Sequence, residues 1–314
     1  MEIINVTTKP PHDLTSLVLV IGKLDGIHKG HQLLLHEAKE YIQEDDMLAV
    51  WSFSKHPQYV LNEDPEFEHD LTPLKDKVSI LKEYGVQRLY HVEFTKEYAK
   101  IPADEFVLEH LSQLNVKRLI VGEDFRFGAG GRAGTDELIR LCEKINIQVS
   151  VIPFFRENGM KISSTDIRSL ISNGKVEAAQ VLLNRRYRVI GEVIHGNALG
   201  RELGFPTINL GKLESYVLPK PGVYVGTAEI YEEGMVRESW ACLISAGYRP
   251  TVNGEGYLIE AHLLNYSGDL YGKTVAVSFI RYLRGEIKFD GLESLIHQMQ
   301  QDKKEAEEIL GFIE

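Results

Sequence analysis

The chain has 314 residues, enough for two domains at about 100–200 residues each. Apolar residues make up 43% and charged residues 26%, with 27 glycines and 11 prolines, which excludes a disordered, collagen-like or low-complexity chain. With 35 Lys and Arg against 46 Asp and Glu the net charge is −11, which argues against a general nucleic-acid binder but leaves room for anionic small molecules at a local site.

The first 21 residues hold no basic leader and no apolar run long enough for a signal peptide or a membrane span, so a cytoplasmic protein without membrane association is expected. Short apolar runs at 17–21, 48–53, 88–92, 119–121 and 149–152 read as strands. Helical patterns lie between them: Leu34, Ala38, Tyr41 and Ile42 share one face, as do Leu74, Val78 and Leu81. Strand and helix alternating at this spacing predict an α/β fold with a doubly wound parallel sheet, whose ligands bind outside the carboxyl ends of the strands. Beyond a polar junction near Asn184 the pattern changes, and 187–194, 223–230, 239–244, 257–264 and 275–282 follow one another without intervening helices. Glycines punctuate these runs, so an antiparallel β-barrel or sandwich is expected. A closing helix spans 291–310, with Leu292, Leu295, Ile296 and Met299 on its apolar face and 302–308 solvated. The expected domains are 1–184 and 185–314. Cys142 and Cys242 stand far apart without zinc-ligand spacing, so neither a disulfide nor a structural metal is expected.

The strongest local signal is Gly22-Lys23-Leu24-Asp25-Gly26-Ile27-His28-Lys29-Gly30-His31, where the first strand turns into the first helix. Unpaired amides and the positive end of the helix dipole suit phosphate there, and two histidines three apart share the first turn. Gly30 leaves room for a ligand to approach, and histidines at this place can stabilise charge developing on a triphosphate. A metal site and a surface turn with incidental histidines are the alternatives. Ser163, Ser164, Thr165 and Arg168 gather hydroxyls and a guanidinium at a helix start, which serves either phosphate binding or simple N-capping. Asp124-Phe125-Arg126-Phe127-Gly128, with Arg132 and Gly134, leaves the carboxyl end of a strand on the same rim, although its aromatics also suit the core.

In the β region, Gly196, Gly200 and Arg201 precede Pro206-Thr207-Ile208-Asn209. Thr207 and Asn209 face the same way in an extended segment and offer two oxygen ligands suited to Mg²⁺. Glu260 alternates with apolar residues and so leaves the face they occupy, as either a functional carboxylate or a solvated one. Gly268 to Thr274 imitates a P-loop, but its spacer is one residue short.

Taken together, these motifs resemble the prokaryotic bifunctional riboflavin kinase/FMN adenylyltransferase family, over nearly the whole chain. The resemblance implies two steps: phosphorylation of riboflavin by ATP in the C-terminal domain, then adenylation of FMN by a second ATP in the N-terminal domain, giving FAD and pyrophosphate. It implies a nucleotidyltransferase-like N-terminal domain. His28, His31 and Arg168 are then catalytic, with Gly22, Asp25, Gly30, Ser164 and Thr165 at the ATP phosphates and Asp124, Phe125, Phe127 and Arg132 beside the flavin. In the kinase half the resemblance makes Glu260 the base, Thr207 and Asn209 the Mg²⁺ ligands, Gly196, Gly200 and Arg201 the nucleotide loop, and Arg249 and Arg284 flavin contacts. ATP, riboflavin, FMN and FAD are the implied ligands, with no nucleic-acid or membrane partner, and self-association is left open. Leu24 stands where the family usually has an aromatic residue, and Ser245-Ala246-Gly247 where it commonly has Asn-Ile-Gly. The alternatives are an FMN adenylyltransferase with a degenerate kinase domain that binds flavin, a flavin sensor without turnover, and, against the acidic charge, a tRNA-charging relative.

Overall fold

The computed structural model describes residues 1–157, 159–195, 204–211, 213, 215–251 and 254–311, with backbone alone at 160, 249–251 and 254–255. The chain divides into two compact units, Met1–Ser164 and Thr165–Glu314.

In the first unit the strands are β1 (Glu2–Val6), β2 (Asp13–Ile21), β3 (Met47–Phe53), β4 (Arg88–Val92), β5 (Leu114–Gly122) and β6 (Gln148–Ile152). They form one parallel sheet in the order β1-β4-β3-β2-β5-β6. The intervening helices are α1 (Lys29–Glu40), α2 (Pro57–Asn62), α3 (Leu74–Glu83), α4 (Ala103–Glu105) and α5 (Thr135–Glu143). Both faces of the sheet are covered, which is why β2 reads as an unbroken apolar run. Leu17, Leu19 and Ile21 enter one core with Trp51 and Phe106, while Val18 and Val20 enter the other with Leu35, Ile80 and Leu81. The winding runs from β2 out to β4 and then resumes at β5 on the other side of β2, so the direction of winding reverses between β2 and β5. Crevices at such reversals are where open α/β sheets hold ligands. A small hairpin, β7 (Arg156–Glu157) and β8 (Met160–Lys161), follows β6.

The second unit begins with α6, which spans Ser164–Ser172, and α7 (Val176–Leu183). Its strands are β9 (Tyr187–Ile194), β10 (Ile208–Gly211), β11 (Gly222–Glu232), β12 (Met235–Thr251), β13 (Gly254–Leu263) and β14 (Thr274–Arg284). They close into an antiparallel barrel in the order β10-β13-β12-β11-β14-β9. In β9, Tyr187, Val189 and Val193 are buried and alternate with more exposed residues, the pattern of a strand with one face in a barrel core.

In a last helix, α8 (Leu292–Leu310), Leu295, Ile296 and Met299 of the expected apolar face are half-buried, while Leu292 is 59% exposed. The stretch expected to be solvated is corrected: Ala306 is fully buried beside Val225, Leu243 and Leu264, and Asp302 is 4% exposed. The carboxylate enters because a guanidinium awaits it, as described below. The barrel also contains β10, a strand of four residues too short to stand out in the sequence, and β1 was likewise absent from the expected strands.

Candidate active sites

The loop after β2 follows an unusual path. Leu24, Gly26 and Ile27 all take left-handed backbone conformations, with φ of 47°, 82° and 40°. Non-glycine residues there cost on the order of 1–3 kcal/mol each and persist only where neighbours hold them. Leu24 and Ile27 are fully buried in the core beneath the loop, so the two strained residues anchor it from below. Leu24 fills with an aliphatic side chain the position where an aromatic was expected.

His28 caps α1 with extended backbone and no side-chain capping bond. Its ring stacks on that of His31, with centroids 3.7 Å apart and planes 19° from parallel. Gly30 lies close against that stack: a Cβ there would lie 3.1 Å and 3.2 Å from His28 Cε1 and Nδ1. Gly22 is similarly crowded, with Leu24 Cδ2 3.3 Å from where its Cβ would stand. Asp25 braces the loop from below. It is 1% exposed, and its Oδ1 accepts from the Leu71 and Thr72 amides at 2.9 Å and 3.3 Å. Thr72 Oγ1 in turn accepts from the Gly26 amide at 2.7 Å.

Ser164, the first residue of α6, donates its hydroxyl to the Asp25 carbonyl at 2.8 Å. Thr165 is exposed beside it, and Arg168, one turn along the same helix, is 2% exposed. The loop after β5 is closed by paired bonds between Phe127 and Ala133. Phe127 is buried against Phe106, Phe125 stacks on Phe127 at 5.7 Å, and Arg132 is exposed. Asp124 is exposed and ion-paired with Lys161 of β8 at 2.8 Å, while Glu157 of β7 pairs with Lys29 of α1 at 3.0 Å. The hairpin is thus tied to two of the three segments singled out in the sequence, and its two-residue strands were too short to be expected.

In the barrel, Glu260 on β13 is the register partner of Asn209 on β10 and of Ser245 on β12. Residues directly opposite on paired strands project to the same face. Ile259, Ala261, Ile244, Ala246 and Leu210 are buried in the barrel, so Asn209, Glu260 and Ser245 form a row on its outer face. Thr207 lies two residues ahead of Asn209 and is half-buried. A residue missed from sequence completes the group: His262 Nδ1 lies 2.8 Å from the Pro206 carbonyl oxygen, and its ring meets Phe205 edge-on. Burial lowers its pKa despite that contact. The alternating run from 259 to 263 carried the signal, since His262 leaves the apolar face as Glu260 does.

Arg284 is held by an acid of the last helix. Its Nε and Nη2 donate to Asp302 Oδ1 and Oδ2 at 2.8 Å and 2.6 Å, and its Nη1 donates to the Gly285 carbonyl at 3.0 Å. Arg249 lies in β12 opposite Gly256, and its side chain is outside the described residues, as are Gly196, Gly200 and Arg201. Among the described residues no three His, Cys, Asp or Glu side chains gather into a metal centre, and no helix is long and apolar enough to cross a membrane.

Family comparison divides the chain in two: residues 11–166 match FAD synthetase and 183–310 match riboflavin kinase. The Bacillus subtilis bifunctional riboflavin kinase/FMN adenylyltransferase is 34% identical over 315 aligned residues, covering 98% of this chain and 97% of its own. The Escherichia coli K12 protein of the same name is 34% identical over 94% of this chain and 93% of its own. A Listeria monocytogenes FAD synthetase is 38% identical over 71% of this chain and 86% of its own. Among solved structures, a Streptococcus pneumoniae chain named as a macrolide-efflux protein superposes with a TM-score of 0.85 at 30% identity, over 97% of this chain and 98% of that one.

Proposed function

Starting from the fact that this chain belongs to the bifunctional riboflavin kinase/FMN adenylyltransferase family, we propose how its residues share the two reactions. The C-terminal half phosphorylates riboflavin to FMN, and the N-terminal half adenylates FMN to FAD. We place the division of labour at 184/185, where the polar junction meets the start of the kinase match at 183.

In the kinase half, Glu260 takes the proton of the riboflavin 5′-hydroxyl as its oxygen attacks the γ-phosphorus of ATP and ADP leaves. The Thr207 hydroxyl and the Asn209 amide oxygen are hard donors of the kind that hold Mg²⁺ together with substrate phosphates. Mg²⁺ supplies charge neutralisation on the transferring phosphoryl group. His262 fixes the backbone at Pro206, immediately before Thr207. The observation that carries this reading is the register that sets Asn209 and Ser245 on either side of Glu260 on one face.

In the adenylyltransferase half, an FMN phosphate oxygen attacks the α-phosphorus of ATP and the bond to pyrophosphate breaks. His28, His31 and Arg168 oppose the charge moving onto pyrophosphate, and the α1 amides, the backbone at Gly22 and Gly30, and the hydroxyls of Ser164 and Thr165 hold the phosphates. Asp124, Phe125, Phe127 and Arg132 border the flavin. Arg249 is assigned to flavin, and Gly196, Gly200 and Arg201 to the kinase nucleotide. Because ATP drives both steps, we assign the enzyme to the cytoplasm.

The test follows riboflavin, FMN and FAD by chromatography. Glu260→Gln is expected to slow FMN formation by about 10²- to 10⁴-fold while FMN still becomes FAD at the wild-type rate. Equal loss of both steps would sink the assignment.

A further inference from the structure

Beneath the strained loop lies a buried lysine that the proposed chemistry does not use. Lys77, on α3, is 3% exposed. Its Nζ donates to the Lys23 carbonyl at 2.9 Å and lies 3.5 Å from Ser52 Oγ. The same carbonyl accepts from the Ser52 hydroxyl at 2.7 Å. That carbonyl belongs to the peptide joining Lys23 to Leu24, the first of the left-handed residues. Lys23 itself is fastened elsewhere: its Nζ donates to the Phe53 and Ser54 carbonyls and pairs with Asp70 at 3.1 Å.

Burying an ammonium is unfavourable unless its partners offset the lost hydration. The groups around Lys77 are Lys23 and Asp25 from the loop, Asp70 ahead of α3, and His91 on β4. Burial, and then the charge of Lys23, push the Lys77 pKa down to about 8, while Asp70 and Asp25 pull the other way. A lysine retained at that cost, with its proton directed at one loop carbonyl, indicates that the loop conformation is what the contact secures.

We propose that Lys77 is a positioning residue for FMN adenylation: its ammonium holds the peptide after Lys23 and thereby keeps the 24–27 backbone on the path that sets His28 and the α1 amides at the nucleotide. The proposal rests on the reading of this loop as the phosphate cradle. When Lys77 loses its proton, the charged hold on the Lys23 carbonyl goes and the loop relaxes.

Two properties should then part company with pH. A lysine whose folded pKa lies below its unfolded value, about 10.4, sheds its proton first in the folded state, so the unfolded chain binds more protons and stability from this group rises with pH. A lysine that mattered only to folding would therefore cost no activity between about pH 7 and pH 9. A positioning lysine makes adenylation fall through pH 8 while the melting temperature of the same unit holds or rises.

The experiment uses the full-length enzyme and measures FMN adenylation, riboflavin phosphorylation and thermal melting across that range. In the wild type, adenylation is expected to drop through about pH 8 without loss of melting temperature, and phosphorylation to show no such limb. In Lys77→Met, adenylation at neutral pH is expected to fall about ten- to a hundredfold, with the alkaline limb gone and phosphorylation unchanged. Wild-type adenylation rates in Lys77→Met, or an alkaline limb that persists in it, would overturn the proposal. So would a wild type whose activity and melting temperature fall together, an arm that decides the matter even if the variant does not fold. His28→Ala separates the failures. If it spares adenylation, the reading of the loop itself is wrong; if it abolishes adenylation while Lys77→Met does not, only the role of Lys77 is.

Discussion

Arg284 and Asp302 face each other as a fork on a fork, with both carboxylate oxygens of Asp302 taken by the Arg284 guanidinium at 2.8 Å and 2.6 Å. Gln298 adds a third donor to Asp302 at 3.0 Å, so an acid in the middle of α8 becomes the point at which that helix is held to the end of β14. Bidentate geometry fixes direction as well as distance.

Removing one partner strands a buried charge. Asp302→Asn should lower the unfolding free energy of the C-terminal unit by about 3 kcal/mol, and the double variant Arg284→Met with Asp302→Leu should recover most of that loss. Denaturant unfolding checks both. The riboflavin KM is expected to return to the wild-type value together with stability in the double variant; a KM that stays raised would give Arg284 a direct flavin contact.

Asn209 offers a test of metal binding separate from the base. Asn209→Ala should raise the Mg²⁺ concentration for half-maximal riboflavin phosphorylation about tenfold, with FMN adenylation unaffected at saturating Mg²⁺. A metal titration of each reaction from the same preparation provides the comparison.

Gly30→Ala adds one methyl group where His28 Cε1 and Nδ1 would lie 3.1 Å and 3.2 Å away, so the His28 ring must shift within its stack on His31. Adenylation is expected to fall about ten- to a hundredfold, riboflavin phosphorylation to stay, and the melting temperature to change little. Unchanged adenylation would show that the stack is dispensable.

Acid should loosen the N-terminal unit in two stages. Burial, followed by the charges of Lys77 and Lys23, lowers the His91 pKa from 6.5 to about 4. The unfolded chain therefore binds the extra proton first, and stability falls as pH drops from 6.5 towards 4. Burial alone would raise the pKa of Asp13, but hydrogen bonds from Tyr90 and Thr15 and the charge of Arg88 hold it below the ordinary value of 3.8. The stability it lends is complete above that value and is lost as pH falls through the lower folded one. Melting temperatures across this range should show both stages, and His91→Gln should remove only the upper one.

Much of this was legible in the sequence because the signals are periodic or local. The sheet announced itself through apolar runs buried on both faces, and Glu260 through its alternation with Ile259 and Ala261. What escaped were side chains whose partners are remote in sequence. The amides that hold the Asp25 carboxylate belong to Leu71 and Thr72, 46 and 47 residues on. Asp302 looked solvated because helical periodicity counts a charge as exposed and has no means of seeing Arg284. Lys77 carried no signal of its role, because the carbonyl it serves is 54 residues away.

The row formed by Asn209, Glu260 and Ser245 also constrains how this gene can vary. Each of the three stands next to residues that fill the barrel, so inserting or deleting a single residue within β13 would turn Glu260 into the core and push Ile259 out of it. Point substitutions can retune this face one side chain at a time, as Ser245 beside an intact Glu260 illustrates. Length changes within the strand cannot, because one register sets both this row and the barrel core, and tolerated indels should therefore collect in the turns between strands.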